Sequence, residues 1–178
     1  MDDVERRALL EVWFRAYAER VLAYLLHRTD PQTAQDVLQE VFVTAFRKAD
    51  DLPEPPIGWL FGTARRILAN KRRSYRRHDQ LIDRLLEDAS RESDADLGEL
   101  KQAFLQTLAT LSSADREVLT LTGWYGLTPA EAAGALGCSA SAYAVRLHRA
   151  RKRLAAALDA GGYRGDSPAG QFAEALRA

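Results

Sequence analysis

Between Arg65 and Arg77 the chain carries Arg65, Arg66, Lys71, Arg72, Arg73, Arg76 and Arg77, with Asn70 among them and no acidic residue. On a helix, Arg66, Asn70, Arg73 and Arg77 follow steps of four, three and four, and Arg65, Arg72 and Arg76 run in a parallel line. Rows of guanidinium groups suit phosphate oxygens, and an amide set between them can hold a base edge. If four to seven of these side chains neutralise phosphates, log affinity falls against log salt with a slope of about −4 to −6. A solvated basic helix is the alternative reading of the same residues.

A second acid-free block holds Arg146, Arg149, Arg151, Lys152 and Arg153. It lies in the segment Gly126 to Leu154, where the local signals fall in register. Thr128 is placed to cap a helix, Pro129 takes the first helical position, and Glu131 completes a Thr-x-x-Glu capping box. That helix is expected to end at Leu136. Gly137 can take the left-handed backbone that closes it, and Ser139 can cap the next helix, which is the spacing of a helix-turn-helix. In the major groove, Ser139, Ser141, Ala142 and Tyr143 would face base edges, while Arg146, Arg149 and Arg151 would reach phosphates or a guanine edge. A generic helical hairpin with a solvated basic face is the plainer alternative. Cys138 reads as a small buried hydrophobe at the turn, and His148 as a surface residue.

Asp36, Gln39 and Glu40 share a helical face whose sign is wrong for DNA. Paired carboxylates can act in hydrolysis, but no His, metal cluster or Gly-rich phosphate loop converges with them. A solvated acidic face or a protein partner is the reading left. The lone Cys138 allows no internal disulfide, and His27, His78 and His148 have no metal-ligand spacing, so neither metal nor cofactor is expected. No run approaches the roughly 18 to 20 apolar residues of a membrane span, and the acidic start lacks the order of a signal peptide. The expectation is a cytoplasmic protein without membrane insertion.

These residues need elements to carry them. Leu10, Phe14, Tyr17, Val21 and Leu25 predict a helix from about Val4 to Arg28, and Pro31 opens a second one with Ala34, Val37, Val41 and Ala45 on its buried side. Asp50 to Pro56, with Pro53, Pro55 and Pro56, must be a loop. A third helix from about Ile57 to Arg77 turns Leu60, Ala64, Ile67 and Leu68 inward. Residues 79–99 hold eight acidic residues against Arg84 and Arg91, and the charge is thereby sorted into blocks although the net charge is zero. Leu97, Leu100, Phe104, Leu108 and Leu111 then begin a second module, in which Ser112 caps a helix bearing Val118, Leu119 and Leu121. The fold class expected is all-α, with two small helical domains joined by an acidic linker. Residues 4–77 form the first domain, 78–96 the linker, 97–158 the second domain and 159–178 a tail.

The order TAQDVLQEVFVTAFRKA, WLFGTARRILANKRRSYRR, acidic linker, LSSADREVL and helix-turn-helix resembles the RNA polymerase sigma factors of the extracytoplasmic-function (ECF) group, over about Leu9 to Leu158. The resemblance implies a sigma region 2 bundle and a sigma region 4 helix-turn-helix. It implies that Asp36, Gln39 and Glu40 meet the beta-prime clamp helices of core RNA polymerase, whose beta subunit is a further partner. Arg65, Arg66, Asn70, Arg73, Arg76 and Arg77 match the helix that engages the minus-10 promoter element, and the loop from Asp50 to Gly58 matches one that receives an extruded base. Ser139 to Arg151 match the minus-35 recognition helix. An anti-sigma protein is a further implied partner, and Trp59 is read as core. Departures stand at Ala144 and Val145, where a basic and a small polar residue are frequent, and at Arg66, a place often held by Asn. Two other readings are kept: a free-standing helix-turn-helix regulator, and a metal-dependent DNA enzyme.

Overall fold

Helix ends along this chain are built by local side-chain chemistry, and the computed structural model, which describes residues 2–73 and 105–163, resolves it atom by atom. Helix α1 spans Asp3–Leu26, and its first turn is closed by a capping box between Asp2 and Glu5. Helix α2 spans Pro31–Arg47. Asp30 caps it by accepting from the Thr33 amide at 3.0 Å, and Pro31 occupies the first turn where its missing N–H costs nothing. A 3-10 turn at Ala49–Asp51 and an extended stretch through Pro53, Pro55 and Pro56 lead to α3, Ile57–Arg73. No strand occurs among the described residues.

The chain divides into two compact units. Among described residues the first holds 2–73 and 127–140, and the second holds 105–126 and 141–163. In the first, Val21, Leu25, Val37, Val41, Leu60 and Ala64 are fully buried where α1, α2 and α3 meet. Tyr24 lies against Phe61 with ring centroids 5.0 Å apart. The Arg28 guanidinium stacks 3.8 Å over the Tyr24 ring and donates to the Tyr24 carbonyl at 3.1 Å.

The α1 stripe differs from the sequence reading. Trp13, Ala18, Val21, Tyr24 and Leu25 are buried, whereas Phe14 is 48% exposed and Leu10 and Tyr17 are half-buried. The helix is rotated so that Trp13 fills the core, and Phe14 reaches only the rim, edge-on to Phe42 at 4.9 Å. Trp59, read as core, is half-buried.

In the second unit, residues 105–110 are helical, followed by α4, Ser113–Gly123, and α6, Ala140–Ala160. Leu105, Leu108, Leu121, Tyr143, Leu154 and Leu158 are its fully buried large side chains. Arg116 donates to the Leu111 carbonyl at 2.8 Å and to that of Ala109 at 3.2 Å, satisfying carbonyls at the end of the preceding helix. Ser112 caps α4 as expected. Between α4 and α6 in sequence lies α5, Pro129–Leu136, which groups with the first unit. Leu97, Leu100, Phe104, the acidic linker 78–96 and the tail beyond 163 lie outside the described residues.

Candidate nucleic-acid and polymerase interfaces

Helix α3 carries its basic row by burying the opposite side. Ile57, Leu60, Phe61, Ala64 and Leu68 are in the core, so Arg65, Arg66 and Asn70 are turned outward and exposed. Arg66 donates to the Thr63 hydroxyl at 3.0 Å, which fixes its stem along the helix. Arg73 is the last described residue of α3, and Arg76 and Arg77 lie outside the described residues. The loop before α3 is tied to α1 by a hydrogen-bonded ion pair between Arg6 and Asp50. That hydrogen bond from the guanidinium holds the Asp50 carboxyl below its usual pKa.

The helix-turn-helix segment is built as its residues dictate. Thr128 accepts from the Glu131 amide at 3.3 Å, and Glu131 accepts in return from the Thr128 amide at 2.7 Å. At the other end Gly137 has φ of +64°, its amide bonds the Gly134 carbonyl, and the Cys138 amide bonds that of Ala133. This is a Schellman closure, which requires the left-handed residue that glycine supplies. Three residues, 137–139, separate the end of α5 from the start of α6.

On α6, Ser141, Arg146, Arg149 and Arg151 are exposed, Ser139 is exposed just ahead of it, and Ala142 is half-buried. Tyr143 requires a correction. It is fully buried, and its hydroxyl donates to the Val118 carbonyl at 2.8 Å, so it is a core residue of the second unit and does not face a base. The phase follows from Tyr143, Leu147, Ala150 and Leu154, which set the buried side. The outward ridge is therefore Ser141, Val145, Arg149 and Lys152, with Arg146 and Arg151 flanking it on either side. Val145, 50% exposed, and Lys152 were missed by sequence reasoning; their spacing of four and seven from Ser141 and Val145 was the available signal. Arg153 is held by Asp115 at 2.7 Å and belongs to the internal framework of α4 and α6.

Asp36, Gln39 and Glu40 lie exposed on one face of α2, opposite Val37, Leu38 and Val41. Val43 is on the same ridge and is 49% exposed. Glu40 pairs with Lys71 of α3 at 3.6 Å, and Asp36 accepts from Gln32 at 3.3 Å. Among the described residues no group of three or more His, Cys, Asp or Glu could hold a metal ion, and no helix is long and apolar enough to cross a membrane.

Comparison with known proteins adds to this geometry. Residues 13–78 match the family profile of Sigma-70 region 2, and residues 101–154 match that of Sigma-70, region 4. The RNA polymerase sigma factor NccH of Alcaligenes xylosoxydans xylosoxydans is 34% identical over 158 residues, covering 81% of each chain. The RNA polymerase sigma factor CnrH of Cupriavidus metallidurans is 34% identical over 163 residues, covering 82% of each. The ECF RNA polymerase sigma factor SigC of Mycobacterium tuberculosis is 29% identical over 158 residues, 83% of this chain and 82% of its own. Among solved structures, CnrH in complex with the cytosolic domain of CnrY aligns with a TM-score of 0.50 at 29% identity, over 89% of this chain and 90% of the other.

Proposed function

This chain belongs to the RNA polymerase sigma factors, within the ECF group, and from that premise we propose how its surfaces divide the work of starting transcription. Region 2 is residues 4–77 and region 4 is residues 97–158, with 78–96 as linker and 159–178 as tail. The face of Asp36, Gln39 and Glu40 docks on the beta-prime clamp helices of core polymerase. The outward row of Arg65, Arg66 and Asn70, continued by Arg73, Arg76 and Arg77, engages the minus-10 element. Ser139, Ser141, Ala142, Val145, Arg146, Arg149, Arg151 and Lys152 engage the minus-35 element.

The observation that carries this reading is the separation of charge by helix. Two outward basic ridges, on α3 and α6, suit phosphates and base edges, while α2 exposes a face of opposite sign at Asp36 and Glu40. Melting is achieved by binding energy, since capture of an extruded base offsets the few kcal/mol that flipping costs. No catalytic residue is assigned, the protein acts in the cytoplasm, and it has no membrane insertion. An anti-sigma protein is a fitting regulator, as CnrH is solved with the cytosolic domain of CnrY.

The test is reconstitution with core polymerase and run-off transcription on genomic fragments. Capture of core and defined start sites are expected, with Asp36→Ala and Glu40→Ala weakening capture. A purified chain that never associates with core, or associates and starts no transcript on any fragment, overturns the reading.

A further inference from the structure

We infer that Val145 reads the 5-methyl group of a thymine in the minus-35 element. This deepens the reading given above and rests on it, since it takes α6 to enter the major groove. Val145 stands two residues beyond Tyr143, about 200° further round the helix. Tyr143, Leu147, Ala150 and Leu154 fix the buried side, so Val145 points straight away from the core. Ser141, one turn before it, and Arg149, one turn after it, are both exposed.

Neither packing nor helix formation accounts for a valine at this point. Its side chain is 50% exposed. Branching at Cβ makes it a poorer helix former than alanine, which the same helix carries at the exposed positions Ala144 and Ala156. What the position offers is reach. Ser139, Ala140, Ser141 and Ala144 are exposed and small, and Ala142 is half-buried, so ahead of Arg146 nothing on the outward side is bulkier than Val145 itself. The start of α6 can therefore approach the floor of the groove closely enough for a short side chain to touch a base.

The chemistry of the groove then selects the base. Every base pair shows hydrogen-bonding groups on its major-groove edge, and thymine alone adds a methyl group. Valine has no donor and no acceptor. Set against the polar groups of a guanine, adenine or cytosine edge, it strips them of water and returns no hydrogen bond. Set against thymine, on either strand, the two apolar groups bury each other. A helical turn rises about 5.4 Å, less than two base pairs at about 3.4 Å each, so with Ser141 and Arg149 beside it the contact falls on one position or on two adjacent ones.

The test begins with selection of duplexes, from a library randomised across the minus-35 window, by the full chain bound to core polymerase. In the selected duplex each thymine is replaced in turn by uracil, which keeps the hydrogen-bonding groups and lacks only the methyl. Affinities are measured for the wild type and for Val145→Ala, an exposed change to a better helix former that retains the fold. The wild type is expected to lose about fourfold at one position or two adjacent ones, which is what one buried methyl contributes, and Val145→Ala to lose nothing there. A selected sequence without thymine overturns the proposal. So does a wild type indifferent to every uracil, or a Val145→Ala chain that still loses about fourfold at the same position. Capture of core is scored separately: where it fails, the sigma reading falls, and the same selection and uracil comparison with the free chain decide on Val145. Enrichment of no sequence by either form also overturns the proposal.

Discussion

The hydroxyl of Tyr143 ends 2.8 Å from the Val118 carbonyl oxygen inside the second unit, so its removal is a matter of stability. Tyr143→Phe is expected to cost about 1 kcal/mol in urea denaturation and Tyr143→Ala about 3–5 kcal/mol, the first for a lost hydrogen bond and the second for a cavity. Neither changes the minus-35 affinity of the folded fraction. Val145 behaves in the opposite way. At its outward position Val145→Glu is expected to leave stability within about 0.5 kcal/mol, while the added anion, set beside phosphates, lowers affinity for a minus-35 duplex at least about tenfold. Equal losses of stability in both variants would place Val145 in the core. Asp50 offers a titration. Its folded pKa lies below the usual 3.8, so the tie to Arg6 is fully present above that value and is lost as pH falls through the lower folded one. Asp50→Asn should remove this pH dependence from the Arg6 side-chain resonances.

At the scale of the element, α5 is specified by its two ends. Thr128→Ala is expected to cost about 1 kcal/mol, and Gly137→Ala about 1–2 kcal/mol because φ there is positive. The costs should add in chemical denaturation, since the sites stand at opposite ends of an eight-residue helix. Sub-additive losses would mean that α5 frays as a whole. Such ends were legible in the sequence because a cap is a contact between residues two to five apart: Pro31, Ser112, and Thr128 with Glu131 and Gly137 are all specified locally. The rotation of a helix about its axis was less legible, because it is fixed by what packs against it. Phe14 was therefore misassigned by somewhat more than a quarter turn, in favour of Trp13, and Tyr143 by about half a turn, in favour of Val145. The seating of α5 on α3 left no periodic signal, since it depends on the absence of side chains at Gly58 and Gly62, where an added Cβ would meet the main chain of α5. Arg76, Arg77 and the acidic linker fall outside the described residues.

For the whole molecule the balance of charge matters less than its placement. With 25 basic and 25 acidic residues the chain has no net attraction for a polyanion, so affinity for DNA depends on local basic surfaces, which the proposed reading places on α3 and α6. Each phosphate neutralised contributes about 0.9 to the slope of log affinity against log salt. If both ridges engage promoter DNA in the complex with core polymerase, as proposed, Arg65→Ala with Arg66→Ala should reduce that slope by about 2, and Arg149→Ala with Lys152→Ala by about 2 as well. The two reductions should add, because the pairs lie on separate helices and contact separate stretches of DNA. Affinity titrations at several salt concentrations decide the matter. If the first pair alters the slope and the second does not, α6 reads bases without holding phosphates; if neither does, both ridges are solvated surfaces and the DNA is held elsewhere.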